Sequence, residues 1–406
     1  MPEQKDPYAA WRYPAFKFFV TGKLLLTVGL QMQAIVASWL IYEKTHDPFS
    51  LGLIGLTEAI PALGLALPGG HLADRYSRWK ILMLTTLLML LASAVLVFYT
   101  FFSMNSGIWP IYGVIFLIGI ARGFYNPAQS SLWPQLVERK DYVNVSVWNS
   151  SMWQIGAVTG PALGGISYAV LGAGWTSLIV CVLIIFTLIA YAFIGDRPAT
   201  HAKSSEPMMQ SLKAGIKFVF GERILLSAIS LDLFAVLFGG AVALLPVFAA
   251  EVLQTGPEGL GLLRSAPAIG AVIMAAVLAF FPPNKNAGVK MIVCVAIFGL
   301  CMIGFALSTN FILSFVLLLV SGMVDNVSVV IRSTIMQLLT PEAMRGRVAA
   351  VNSIFVGSSN EIGAFESGAA AKLLGLVPSV VFGGIMTLLV TGITWKAAPQ
   401  LKKLNL

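Results

Sequence analysis

Apolar runs of about 20 residues, the length that carries an α-helix across the hydrocarbon core of a bilayer, recur along the whole chain between short polar breaks. They predict spans at 16–42, 50–70, 80–102, 108–133, 145–171 and 174–195. A second set follows at 224–250, 258–281, 288–307, 311–337, 347–371 and 376–396. The one long polar interruption, DRPATHAKSSEP within 195–223, falls between the two sets. The pattern therefore predicts an all-α polytopic membrane protein of twelve transmembrane helices in two six-helix bundles, 1–195 and 224–406, joined by a loop over 196–223.

The two halves are related in sequence. GLTEAIPALG (55–64) and GLLRSAPAIG (261–270) match Gly55, Pro61 and Gly64 to Gly261, Pro267 and Gly270 at an offset of 206. At an offset of 203, Gly119, Ser130, Asn149, Ser150, Gly160 and Gly165 fall on Gly322, Ser333, Asn352, Ser353, Gly363 and Gly368. Two matches in the same order at nearly one offset predict a pseudo-symmetric internal repeat, a common feature of transporter folds.

Composition agrees with the apolar pattern. Charged residues make up 11% of the 406 and hydrophobic residues 57%, against the roughly 25% charge of an ordinary soluble domain. The net charge of +8 is a matter of topology. Of the 26 Lys and Arg, 21 fall on one side of the predicted spans, Lys23 among them; only Lys44 and Lys372 fall on the other. By the positive-inside rule both termini are expected in the cytoplasm, and no nucleic-acid partner is needed to explain the cations. Cys181, Cys294 and Cys301 lie inside apolar runs without metal or disulfide spacing, as small buried hydrophobes. The polar N-terminus lacks a small-residue cleavage site and does not read as a removable signal.

The loop after span two, GGHLADRYSRWKIL (69–82), resembles the Gly-x-Leu-Ala-Asp-Arg-x-Gly-Arg signature of the major facilitator superfamily, with Gly70, Asp74, Arg75, Arg78 and Lys80 matching and Ser77 in place of a glycine. Arg345 and Arg347 lie in the corresponding loop of the second half. The resemblance implies a latch between helix ends built from Asp74 and these cations. In span five, GAVTGPALGG (156–165) is similar to the Gly-Pro core of the motif found in exporters of that superfamily. Gly156, Gly160 and Gly164 permit close helix approach and Pro161 a kink, which suits the interface between halves; the motif's upstream glycine is replaced by Val147. FYNPAQSSLWPQLV (124–137) and IRSTIMQLLTPEAMRGRV (331–348) resemble the branch that contains enterobactin and macrolide exporters. Membership implies residence in a bacterial inner membrane and a monomer that moves a small-molecule substrate. The arginine of span four in many exporters lies about one turn before Arg122, which weakens any transfer of its role.

Away from the span ends, and with Lys17 and Lys23 of 16–42 counted among the cytoplasmic cations, eight ionisable residues sit inside predicted spans: Glu58, Arg122, Asp232, Arg264, Asp325, Arg332, Glu361 and Glu366. At about 2.5–3.5 kcal/mol or more each at mid-bilayer, most must pair or face water. Asp232 has no cation within one turn on its own helix, which points to a proton-coupling carboxylate; Asp325, Glu361 and Glu366 are its rivals. In the family fold spans one, four, seven and ten line the cavity, so Arg122, Asp232 and Asp325 would face it. Glu58 and Arg264 are repeat equivalents and make a candidate gate pair. Gln31, Gln33, Trp39, Tyr125, Trp153, Phe234, Phe238, Asn326, Ser328 and Arg332 are candidates for a cavity with polar patches and aromatic walls, suited to a bulky amphipathic molecule.

There is no phosphate-binding Gly-x4-Gly-Lys-Ser/Thr loop, no Cys/His constellation and no nucleophile triad, so neither ATP hydrolysis, a metal centre nor a cofactor is expected. Transport must draw on a gradient. The leading expectation is proton-coupled export of a drug- or siderophore-like molecule by alternating access. An importer, or a lipid or metal-ion carrier of the same fold, is the alternative; a membrane sensor or an intramembrane enzyme is less supported.

Overall fold

The computed structural model describes residues 8–196, 208–283 and 285–405. Every regular element among them is helical: α1 (Pro14–Thr45), α2 (Pro48–Arg75), α3 (Arg78–Phe102), α4 (Trp109–Leu132), α5 (Tyr142–Ala192), α6 (Met208–Gly221), α7 (Arg223–Gly239), α8 (Leu245–Val247), α9 (Pro257–Phe280), α10 (Ala287–Leu307), α11 (Phe311–Leu339), α12 (Arg345–Leu374), α13 (Leu376–Ala397) and α14 (Pro399–Lys402). Among the described residues, ten helical stretches are long and apolar enough to cross a bilayer. One of them holds two spans: α5 runs 51 residues and turns at Gly172, whose φ of 80° is open to glycine at little cost. The twelfth span is α12, whose Asn352, Ser358, Ser359, Asn360, Glu361 and Glu366 make it too polar to stand out as an apolar run.

The outward surface is that of a protein solvated by lipid. On α3, Leu84, Leu87, Leu91, Val95, Phe98 and Phe102 are all exposed and recur at helical spacing, while Leu82, Met89 and Leu96 on the other face are buried. An apolar stripe of that length would not survive in water.

Two compact units divide the helices. One holds α1, α2 from Ile60 onward, and α3–α5; the other holds residues 45–59 and α6–α14. Sequence order assigns the whole of α2 to the first bundle, but its opening turns pack on α12. Glycines set that distance: a Cβ on Gly368 would stand 2.7 Å from the Gly52 Cα. Phe49 meets Phe365 edge-on at 5.7 Å, and Asp47 pairs with Lys372 at 3.7 Å. The polar connection also contains a helix, α6, whose Gly215 lies against the Arg347 backbone of α12; residues 197–207 lie outside the described ones.

Within each unit the same packing recurs. A Cβ on Gly160 of α5 would stand 3.3 Å from the Val28 Cα of α1. Its repeat equivalent Gly363 on α12 makes the matching approach, 3.1 Å, to the Leu237 Cα of α7. The seventh span, continuous in the sequence pattern, is interrupted at Gly240, where the backbone leaves helical values. Ser367 Oγ of α12 donates to the Gly240 carbonyl oxygen at 3.0 Å, satisfying a group that could not be left bare in hydrocarbon.

Candidate functional site

Burying a charge in a membrane protein requires a partner, and the structure supplies one for Asp232 from another helix. Arg332 of α11 pairs with Asp232 of α7, each side chain only 7% exposed. Asp232 is therefore not isolated. A one-helix window cannot register a cation that lies one hundred residues further along the chain and arrives through tertiary packing. Asp325, two turns before Arg332 on α11, is partly buried, as are Glu361 and Glu366 on α12. Asn326 beside Asp325 has a buried Oδ1 with no hydrogen-bond partner among the described residues, and Ser328 is buried. All of these groups lie in one unit, on α7, α11 and α12, and the bridge joins two of them.

Several cavity candidates are committed to contacts inside the first unit. Gln33 accepts from Ser93 Oγ of α3 at 2.6 Å, Trp39 Nε1 donates to Glu43 at 2.7 Å, and the hydroxyls of Tyr125 and Tyr191 lie 2.8 Å apart. All three candidates are buried. Trp153 on α5 and Phe234 on α7 are exposed, and Phe234 stacks on Phe238 at 6.4 Å. Gln31 lies under Gly160. Arg122 lies in α4, inside the first unit. Glu58 and Arg264 lie in the same unit, both partly buried.

The motif in α5 has a different neighbour from the expected one. Positions Gly156, Gly160 and Gly164 approach Thr27, Val28 and Met32, all on α1. The small residues thus close α1 onto α5 within one unit, with Pro161 buried beside them. The reason is register: glycines four apart make one groove, and α1 fills it.

The 69–82 loop is tied down by residues other than Asp74, which makes no hydrogen bond or ion pair among the described residues. Arg78 donates to the Ala73 and Ser131 carbonyl oxygens at 3.2 and 3.0 Å, and Trp79 Nε1 to the Tyr191 carbonyl at 2.7 Å. Ser77, where the signature has glycine, caps α3 by accepting from Lys80 N and donates to Asp196, which also pairs with Lys80 at 3.0 Å. Arg75 is exposed. In the equivalent loop Arg345 lies 3.7 Å from Glu342, and Arg347 donates to Met344 Sδ.

One charge within a span is absent from the eight. Lys23, sorted with the cytoplasmic cations although it falls within the predicted 16–42 span, lies nine residues past the start of α1, with Asn149 of α5 as its hydrogen-bond acceptor.

Comparison with known proteins places this arrangement. The model of the transmembrane secretion effector family matches residues 5–405. The enterobactin exporter EntS of Escherichia coli O1:K1 is 25% identical over 384 residues, 93% of this chain and 90% of that protein. EntS of Shigella boydii serotype 18 matches to the same extent. Among solved structures, a POT family transporter in complex with 5-aminolevulinic acid aligns with a TM-score of 0.77 at 12% identity, covering 95% of this chain and 96% of that one. A bacterial homologue of the lysosomal transporter Spinster, inward-facing and unoccupied, aligns at 0.73 and 14% identity over 97% of both chains. At those identities the structures speak for the fold alone. The chain belongs to the transmembrane secretion effector family of the major facilitator superfamily, and is a multi-pass membrane transporter of a small molecule rather than an enzyme.

Proposed function

We propose that this transporter exports an amphipathic small molecule of the siderophore or drug class in exchange for protons. It acts as a monomer in a bacterial inner membrane, with both termini in the cytoplasm. Its two six-span halves, 1–195 and 224–406, work by alternating access, as repeat-built transporters do. The observation that carries the direction is kinship along nearly the whole chain with a protein named as an enterobactin exporter. The orientation is supported by the concentration of cations on one side of the spans.

The buried Asp232–Arg332 bridge supports the coupling. A proton that lands on Asp232 removes the charge that holds Arg332, so proton uptake and opening of the bridge are one event. Asp325, Glu361 and Glu366 are the other candidate proton-coupling carboxylates, and Glu58 with Arg264 is the candidate gate. One elementary charge moved through 100 mV supplies about 2.3 kcal/mol, close to a fiftyfold substrate gradient at 1.4 kcal/mol per decade.

Everted membrane vesicles with an acidified interior test the reading. Iron-free enterobactin and a panel of hydrophobic antibiotics are offered with and without a protonophore. Accumulation of a panel member that the protonophore abolishes is expected. Accumulation solely in right-side-out vesicles marks an importer, and protonophore-insensitive export removes proton coupling.

A further inference from the structure

We propose that Lys23 and Asn149 form a recognition site for an anionic group on the transported molecule, a carboxylate or comparable oxyanion attached to an apolar body. This rests on the reading of the chain as a small-molecule exporter and adds the charge of its substrate.

Lys23 stands nine residues after Pro14 in α1, about 14 Å along the axis at 1.5 Å per residue. The register of α1 against α5 is fixed from below. Ala10 N donates to Asn144 Oδ1 at 3.0 Å and the Tyr13 hydroxyl to Asp141 at 2.7 Å, so the opening turns of α5 are already paired with the segment preceding α1. Above the site, Gly156 and Gly160 press on Thr27 and Val28. The ammonium is held between these levels.

Its partners are neutral. Nζ lies 2.7 Å from Asn149 Oδ1 and 3.4 Å from the Asn149 carbonyl oxygen, and no carboxylate pairs with it among the described residues. An ammonium has three donors; both contacts go to one residue, and at least one donor remains. An amide orients the group but brings no opposite charge, so the cost of a cation within the span, about 2.5–3.5 kcal/mol at the centre, is left for something else to offset. The side chain is half-buried rather than sealed.

The repeat sharpens the contrast. The approaches of Gly160 to Val28 and of Gly363 to Leu237 align α1 with α7 at an offset of 209, and 23 plus 209 is 232. Lys23 and Asp232 therefore occupy matching positions in the two repeats. The second repeat neutralises its charge internally with Arg332; the first keeps its charge available. Trp153, one turn beyond Asn149 on the same face of α5 and 50% exposed, offers an aromatic surface beside the cation. A charged head against Lys23 with a ring against Trp153 is the complement of an amphipathic anion.

Equilibrium dialysis of the purified full-length protein with 1-naphthoate and 1-naphthamide, nearly isosteric and differing in charge, tests this. Wild type is expected to bind the carboxylate at least tenfold more tightly. Lys23→Gln should weaken naphthoate at least tenfold and leave naphthamide unchanged, while Lys23→Arg retains the preference. Equal binding of both probes by wild type, no binding of either, or a preference that survives Lys23→Gln overturns the proposal. The wild-type comparison decides even if Lys23→Gln fails to fold. Because binding is read without a gradient, a protein that discriminates the probes yet exports nothing would sink the export reading and leave this one standing.

Discussion

Removing one partner of the Asp232–Arg332 bridge should cost far more than removing both. With each side chain 7% exposed, Asp232→Asn leaves a guanidinium in an apolar bundle without its counter-charge, a loss of about 3–5 kcal/mol for broken buried pairs. Arg332→Met does the same to the carboxylate. The double variant Asp232→Leu/Arg332→Met removes both desolvation penalties and replaces them with apolar packing, a change that is often neutral or stabilising by about 1–4 kcal/mol. Thermal unfolding of purified protein in detergent, followed by tryptophan fluorescence at fixed scan rate because unfolding of such proteins is commonly irreversible, should rank wild type near the double variant and both singles well below. Transport should be lost in all three. A single Asp232→Asn protein that melts with wild type, or a double variant as unstable as the worse single, would refute the claim that these two groups stabilise each other in a dry site.

Other perturbations separate local effects. Gly368→Val places atoms where the Gly52 backbone now lies, and overpacking of this kind should cost about 1–3 kcal/mol; Gly64→Ala, with nothing within 4 Å, should melt no lower than wild type. Ser77→Ala removes the α3 cap and should lower stability by about 0.5–2 kcal/mol, whereas Ser77→Gly, the residue of the family signature, should lose less. The Tyr13 hydroxyl that donates to Asp141 is raised above its ordinary value of 10.0, chiefly by that hydrogen bond. A raised folded-state value means the contribution is full below about pH 10 and fades as pH climbs through the folded value. Tyr13→Phe should therefore flatten the alkaline end of the stability profile, and an unchanged slope would dismiss the contact.

The span pattern, the repeat and the family were all legible along the chain because each depends on local composition and spacing. A bilayer demands about 20 apolar residues wherever a helix crosses it, and Ser77, Arg78 and the glycines of α5 stand at recognisable positions. Whether a charge is paired depends on which helices meet, and that is a property of three dimensions. Asp232 is bare in its own helix and bridged in the fold; Lys23 is grouped by sequence with the cytoplasmic cations and meets Asn149 of another helix in the fold. The α5 glycines closed onto α1, and the opening turns of α2 joined the second unit, for the same reason. Helix propensity and hydropathy act over a few turns, whereas the choice of neighbour is settled by complementary surfaces far apart in the chain.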